Sequence, residues 1–192
     1  SNPQAYEPYL AVSYNNLARL YSLTQRFSDS EAMHKQTLEI YERLAQSNPQ
    51  AYEPYLAVSY NNLARLYSLT QRFSDSEAMH KQTLEIYERL AQSNPQAYEP
   101  YLAVSYNNLA DLYFNTNRFS ESEELYKLAL EIYERLAQSN PQAYEPDLAV
   151  SYNNLANLYS NTQRFSESEA MHKQALEIYE RLAQSNPQAY EP

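Results

Sequence analysis

The chain has 192 residues, 43% hydrophobic and 20% charged, with a formal net charge of −10, a composition that suits a folded protein rather than a disordered one. The acidic balance argues against nucleic acid, whose phosphates need a basic face, and no stretch approaches the roughly 18 consecutive apolar residues of a membrane span. With no cysteine and no glycine, disulfides, thiolate metal sites, phosphate-cradling loops and nucleophile elbows are excluded.

The string SNPQAYEP begins at Ser1, Ser47, Ser93, Ser139 and Ser185. The chain therefore reads as one array, 1–192, of four 46-residue repeats (1–46, 47–92, 93–138 and 139–184), with 185–192 an uncapped stub of a fifth. The first two repeats are identical, and 35 of 46 columns never change. A fixed period of this size signals units that bury their apolar faces on one another. Period alone fits a HEAT or armadillo unit equally well.

Within repeat one, Pro8 suits the first turn of a helix, where its missing N–H loses nothing. Leu10, Tyr14, Leu17, Ala18 and Tyr21 then follow a helical stripe. A short polar turn around Gln25 and Arg26 comes next, and Ser28 with Glu31 predicts a capping box. Ser30, His34, Leu38, Tyr41 and Ala45 share one face of the second helix, widened by Met33, Ile40 and Leu44. That helix should stop near Gln46, because Asn48-Pro49 turns the chain away from αR. Residues 49–53 are expected to add a loose turn before Pro54 starts the next hairpin. No period-2 alternation signals a strand. The expected fold is all-α, with eight main helices.

Tyr14-x-x-Leu17-Ala18-x-x-Tyr21, followed by Ser30-x-x-x-His34, resembles the tetratricopeptide pattern. The Asn15-Asn16-Leu17-Ala18 and Leu38-Glu39-Ile40-Tyr41 runs are similar to the long-repeat branch found in kinesin light chains and bacterial scaffolds. The resemblance covers the whole chain. It departs where Ala18 and Gln25 replace glycine and Tyr14 replaces tryptophan. It implies a right-handed superhelical solenoid of helix-turn-helix repeats, whose first helices line a concave groove that binds proteins.

Chemistry is not indicated. His34, His80 and His172 occupy one column of different repeats, with no i+4 partner for a metal. Repeat three places Tyr126 there, as a packing slot allows. Glu31 with Lys35, and Glu39 with Arg43, have the i,i+4 spacing that supports helices. The expectation is no enzyme, no cofactor and no metal. No basic-then-apolar leader opens the sequence, so a cytoplasmic location is expected by default.

The face of the first helix opposite its core stripe carries Tyr9, Val12, Asn16, Arg19 and Leu23, where surface helices usually carry charge. Its equivalents are Tyr55, Val58, Asn62, Arg65 and Leu69 in repeat two, and Tyr101, Val104, Asn108, Asp111 and Asn115 in repeat three. Repeat four has Asp147, Val150, Asn154, Asn157 and Asn161. This ladder predicts a groove for a peptide or protein segment, with amides able to pair with its backbone. Arg19 and Arg65 favour an acidic portion of that partner, and Asp111 a basic one. An Asn15 or Asn16 column that bonds across adjacent first helices explains the asparagines equally.

Near-identical repeats suit a second reading, a structural or consensus-like engineered array. Ile178 and Leu182 are expected to face outward for want of a fifth hairpin, which predicts end-to-end homo-association.

Overall fold

The computed structural model describes residues 3–185. Among them a 3-10 turn, Pro3–Tyr6, precedes eight α-helices, and there is no strand. The helices are α1 (Glu7–Leu23), α2 (Phe27–Ser47), α3 (Pro49–Leu69), α4 (Phe73–Ser93), α5 (Pro95–Asn115), α6 (Phe119–Ser139), α7 (Pro141–Asn161) and α8 (Phe165–Ser185). Each repeat is one helical hairpin. The chain divides into two compact units after Asn94. In the first, α1 packs on α2, α2 on α3 and α3 on α4; α5 to α8 repeat the pattern in the second. Substantial contacts within each unit run between sequence neighbours, as in a helical-repeat solenoid.

The turn inside each hairpin is a Schellman cap made without glycine. The Arg26 N–H donates to the Tyr21 carbonyl at 2.8 Å and the Gln25 N–H to the Ser22 carbonyl at 3.0 Å. Gln25, Gln71, Asn117 and Gln163 consequently sit at φ 59–60°, where a side chain carries strain of about 1 kcal/mol or more. The following arginine folds back over the aromatic ring that starts the motif, with Arg26 4.1 Å from the Tyr21 centroid and Arg118 3.8 Å from that of Tyr113.

Two expected boundaries are corrected. The second hairpin starts at Pro49, not Pro54. Asn48 alone separates α2 from α3, and its side-chain oxygen accepts the Ala51 N–H at 3.2 Å, capping α3. Pro49 then fills the first position, where no N–H is needed. Pro54 lies inside the helix, and the carbonyl it leaves unpaired belongs to Gln50, an exposed residue. The capping box is absent as well. α2 opens at Phe27 with no side-chain cap bond, because Glu31 is drawn to Lys35, Arg72 and Tyr67 instead.

Close approach within a hairpin depends on alanine. Ala11 and Ala18 are fully buried, as are Ala57 and Ala64 in repeat two. The Ser30 hydroxyl donates to the Ala18 carbonyl at 2.8 Å, and Ser76, Ser122 and Ser168 repeat this bond to Ala64, Ala110 and Ala156. Alanine thus does here what glycine does in the tetratricopeptide pattern. Between hairpins, Ile40, Tyr41 and Leu44 pack with Ala11 below and Tyr52 and Leu56 above. In the second unit Leu155, Leu158 and Tyr159 pack with Ala110 and Tyr126.

The expectation for the last repeat is corrected too. Ile178 and Leu182 are buried; their column packs on the first helix of its own hairpin as well as on the next, as Ile40 and Leu44 do on Ala11. Among the residues left open on α8 are Phe165, His172 and Leu176. The segment 186–192, most of the expected stub, lies outside the described residues.

Candidate functional site

In the first unit, α1 and α3 wall a cleft of about 710 Å3. Arg19 and Leu23 reach it from α1, and Asn62, Arg65 and Leu69 from α3. Asn15, Ser22, His34 and Leu66 complete the lining. Five of the ten ladder residues predicted for these two repeats therefore meet at one cavity. The others, Tyr9, Val12, Asn16, Tyr55 and Val58, remain exposed on the same helices but outside it. Tyr55 is partly engaged, stacking on Tyr41 at 5.5 Å and 13°.

The asparagine columns join. The Asn62 amide donates to the Asn15 side-chain oxygen at 3.0 Å, which ties α1 to α3 in the lining of the cleft. His34 is buried, and its Nδ1 has no hydrogen-bond partner. Burial pushes its pKa down to about 4, so the ring is neutral at physiological pH. His80 shares this state, from burial and then from the nearby Arg65 charge.

Charge distinguishes the cleft from the rest of the surface. Among the described residues every lysine, and every arginine but two, forms an ion pair with a carboxylate. The two exceptions are Arg19 and Arg65. Both are exposed, and both line the cleft.

The second unit carries a different ladder. Asp111 stands in the arginine column and accepts a hydrogen bond from the Tyr126 hydroxyl. Crowding by burial pushes the Asp111 pKa up, although the Tyr126 bond opposes it. Its carboxylate is thus partly occupied within the fold. Asp147 is likewise shifted up by burial. Tyr101, Val104, Asn115, Val150, Asn157 and Asn161 are exposed, while Asn108 and Asn154 are half-buried. The Asn161 amide bonds back to the Asn157 carbonyl at 3.0 Å.

Sequence reasoning left His34, Ser22 and Leu66 out of the ladder. One signal could have placed His34 there. In repeat three alone both the Arg19 and the His34 columns differ from repeats one and two, as Asp111 and Tyr126, and the Asp111–Tyr126 bond shows the two columns facing each other. No group of three or more metal-ligating side chains occurs among the described residues. No described helix is long and apolar enough to cross a membrane.

Sequence models of the tetratricopeptide repeat match residues 10–50, 56–96 and 101–181. No curated protein matches the sequence. Among solved structures, BtubC (BKLC) from P. vanneervenii is similar at a TM-score of 0.73 and 24% identity, covering 97% of this chain and 67% of that one. A protein of P. anserina assigned as a kinesin light chain, with nearly identical TPR-like repeats, gives 0.68 and 19%, covering 92% and 76%. MamA gives 0.61 and 15%, covering 92% and 82%. At these identities the likeness concerns the fold.

Proposed function

Because the chain belongs to the tetratricopeptide-repeat family, whose repeats mediate protein–protein interaction, we propose that it is a non-enzymatic scaffold binding a peptide or protein segment along the first helices of its repeats. The observation that carries this reading is the pair Arg19 and Arg65. In a chain of net charge −10, they are the described cations left without a carboxylate, and they flank one cleft. Their guanidinium groups suit an acidic side chain or a terminal carboxylate. The neighbouring amides of Asn15 and Asn62 suit a peptide backbone, and Leu23 and Leu69, 74% and 60% exposed, offer apolar contact at the rim. Fluorescence polarisation with a Glu-rich and a Lys-rich peptide tests it. Wild type should favour the Glu-rich peptide, and Arg19→Glu/Arg65→Glu should weaken that binding about tenfold per residue and reverse the preference. Equal binding before and after the change would remove the cleft from the account.

A further inference from the structure

Resting on the cleft reading above, we propose that the acidic group this cleft selects is a phosphorylated side chain of the bound segment, held between Arg19 and Arg65, in preference to a carboxylate. The first ground is the lining. It carries two arginines and no acidic side chain, and neither arginine is committed to a carboxylate elsewhere in the fold. A carboxylate has two oxygens in one plane, and a single guanidinium fork satisfies it. A second fork on the opposite wall then has nothing to neutralise. A phosphoryl group carries close to two charges and spreads three acceptor oxygens around a tetrahedron, so Arg19 from α1 and Arg65 from α3 can each take its own edge. The amides agree. Asn15 accepts the Asn62 amide through its side-chain oxygen, which leaves its own N–H groups to donate.

The second ground is His34. It lines the cleft, yet only 6% of it is exposed and its Nδ1 has no hydrogen-bond partner. Native folds rarely leave a buried polar atom unpaired, and one at the edge of a cleft marks hydrogen-bonding capacity kept for a ligand. A doubly charged anion beside the ring also favours the imidazolium form that burial suppresses. The arrangement recurs in the second hairpin, inside the array. His80 is 3% exposed with Nδ1 unpartnered, and Arg65 lies near enough to push its pKa down. Arg65 remains without a carboxylate although α1 and α2 precede its helix and α4 follows. An arginine above a neutral, unpartnered histidine is thus a property of the hairpin. The leucines extend the site along its length. Asparagine, arginine and leucine succeed one another toward the turn on both α1 and α3, so an apolar residue next to the phosphorylated one would meet Leu23 and Leu69. The cleft of about 710 Å3 has room for both, since sites for whole ligand groups run from about 300 to 1,000 Å3.

Fluorescence polarisation at low salt and about pH 7.5 tests this with labelled peptides that differ at one place beside a leucine. They carry phosphoserine, serine, one glutamate, or two adjacent glutamates that match the charge without the tetrahedral group. The phosphopeptide should bind about tenfold tighter than either glutamate peptide and tighter still than the serine peptide. Arg19→Gln and Arg65→Gln change exposed side chains, so the fold should tolerate them. Each should weaken the phosphopeptide about tenfold and level it with the glutamate peptides. Glutamate peptides that bind as tightly as the phosphopeptide would overturn the phosphoryl preference and leave the acidic-segment reading standing. A phosphopeptide preference that survives both substitutions would overturn this cleft as its seat. Failure of every peptide to bind would overturn the preference and the acidic-segment reading together.

Discussion

Truncating one leucine column at two places separates what the repeat dictates from what stacking adds. Leu158 and Leu20 occupy equivalent positions in near-identical helices. Leu158 is fully buried in a cluster with Ala110, Tyr126, Leu155 and Tyr159, whereas Leu20 is 54% exposed. For Leu158→Ala, lost transfer and an enclosed cavity together cost about 3–5 kcal/mol. For Leu20→Ala, roughly half of the removed surface was already in water and the gap stays open to solvent, so the loss is about 1 kcal/mol. Urea unfolding followed by far-UV circular dichroism measures both, at micromolar concentration so that contact between copies does not cover Leu20. Partial unfolding of single hairpins would broaden the transition, so midpoints and slopes should be compared together. Losses within about 1 kcal/mol of each other would refute the view that neighbouring hairpins, rather than the helix itself, create this core.

The strained turn and the buried histidines give further tests. Gln163→Gly should stabilise by about 0.5–1 kcal/mol in the same urea assay, since release of left-handed strain exceeds the added entropy of the unfolded chain; destabilisation would contradict the Schellman geometry. His34 and His80 are held near pKa 4 in the fold, below the roughly 6.5 of an unfolded histidine. The unfolded chain therefore takes up protons that the fold refuses. Their stabilising contribution is complete above about pH 6.5 and falls away as pH drops toward 4, by at most about 3 kcal/mol each. His34→Gln/His80→Gln should flatten that window in urea midpoints taken at pH 7 and at pH 4.5, and an unchanged slope would show that carboxylates alone govern it.

Much of the architecture was legible in the chain before any coordinates. The 46-residue period, the stripe from Leu10 to Tyr21 and the Asn-Pro break specify helical hairpins in tandem, because those signals act within one helix or one turn. The tolerance for Ala18 in place of glycine followed from its size. Helix starts were less legible. Pro54 looks like a first-turn residue in isolation, yet Asn48 caps the helix six residues earlier, and a cap shows itself only through its hydrogen bond. The ladder of outward residues was readable from helical angle. Which of them converge was not, because Arg19 and Arg65 meet at one cleft only through the packing of one hairpin on the next.

What the sequence determined alone is thus the unit: its two helices, its turn chemistry and its buried stripe, each set by local periodicity and side-chain size. Tertiary structure decided the rest. It made Asn15 and Asn62 partners, drew Glu31 away from a cap and into a clasp with Arg72 and Tyr67, and left Arg19 and Arg65 without carboxylates. Those outcomes depend on the offset and rotation between successive hairpins, which place residues dozens of positions apart within a few ångströms. Every repeat writes nearly the same letters, so only position in the stack makes one glutamate clasped and another open.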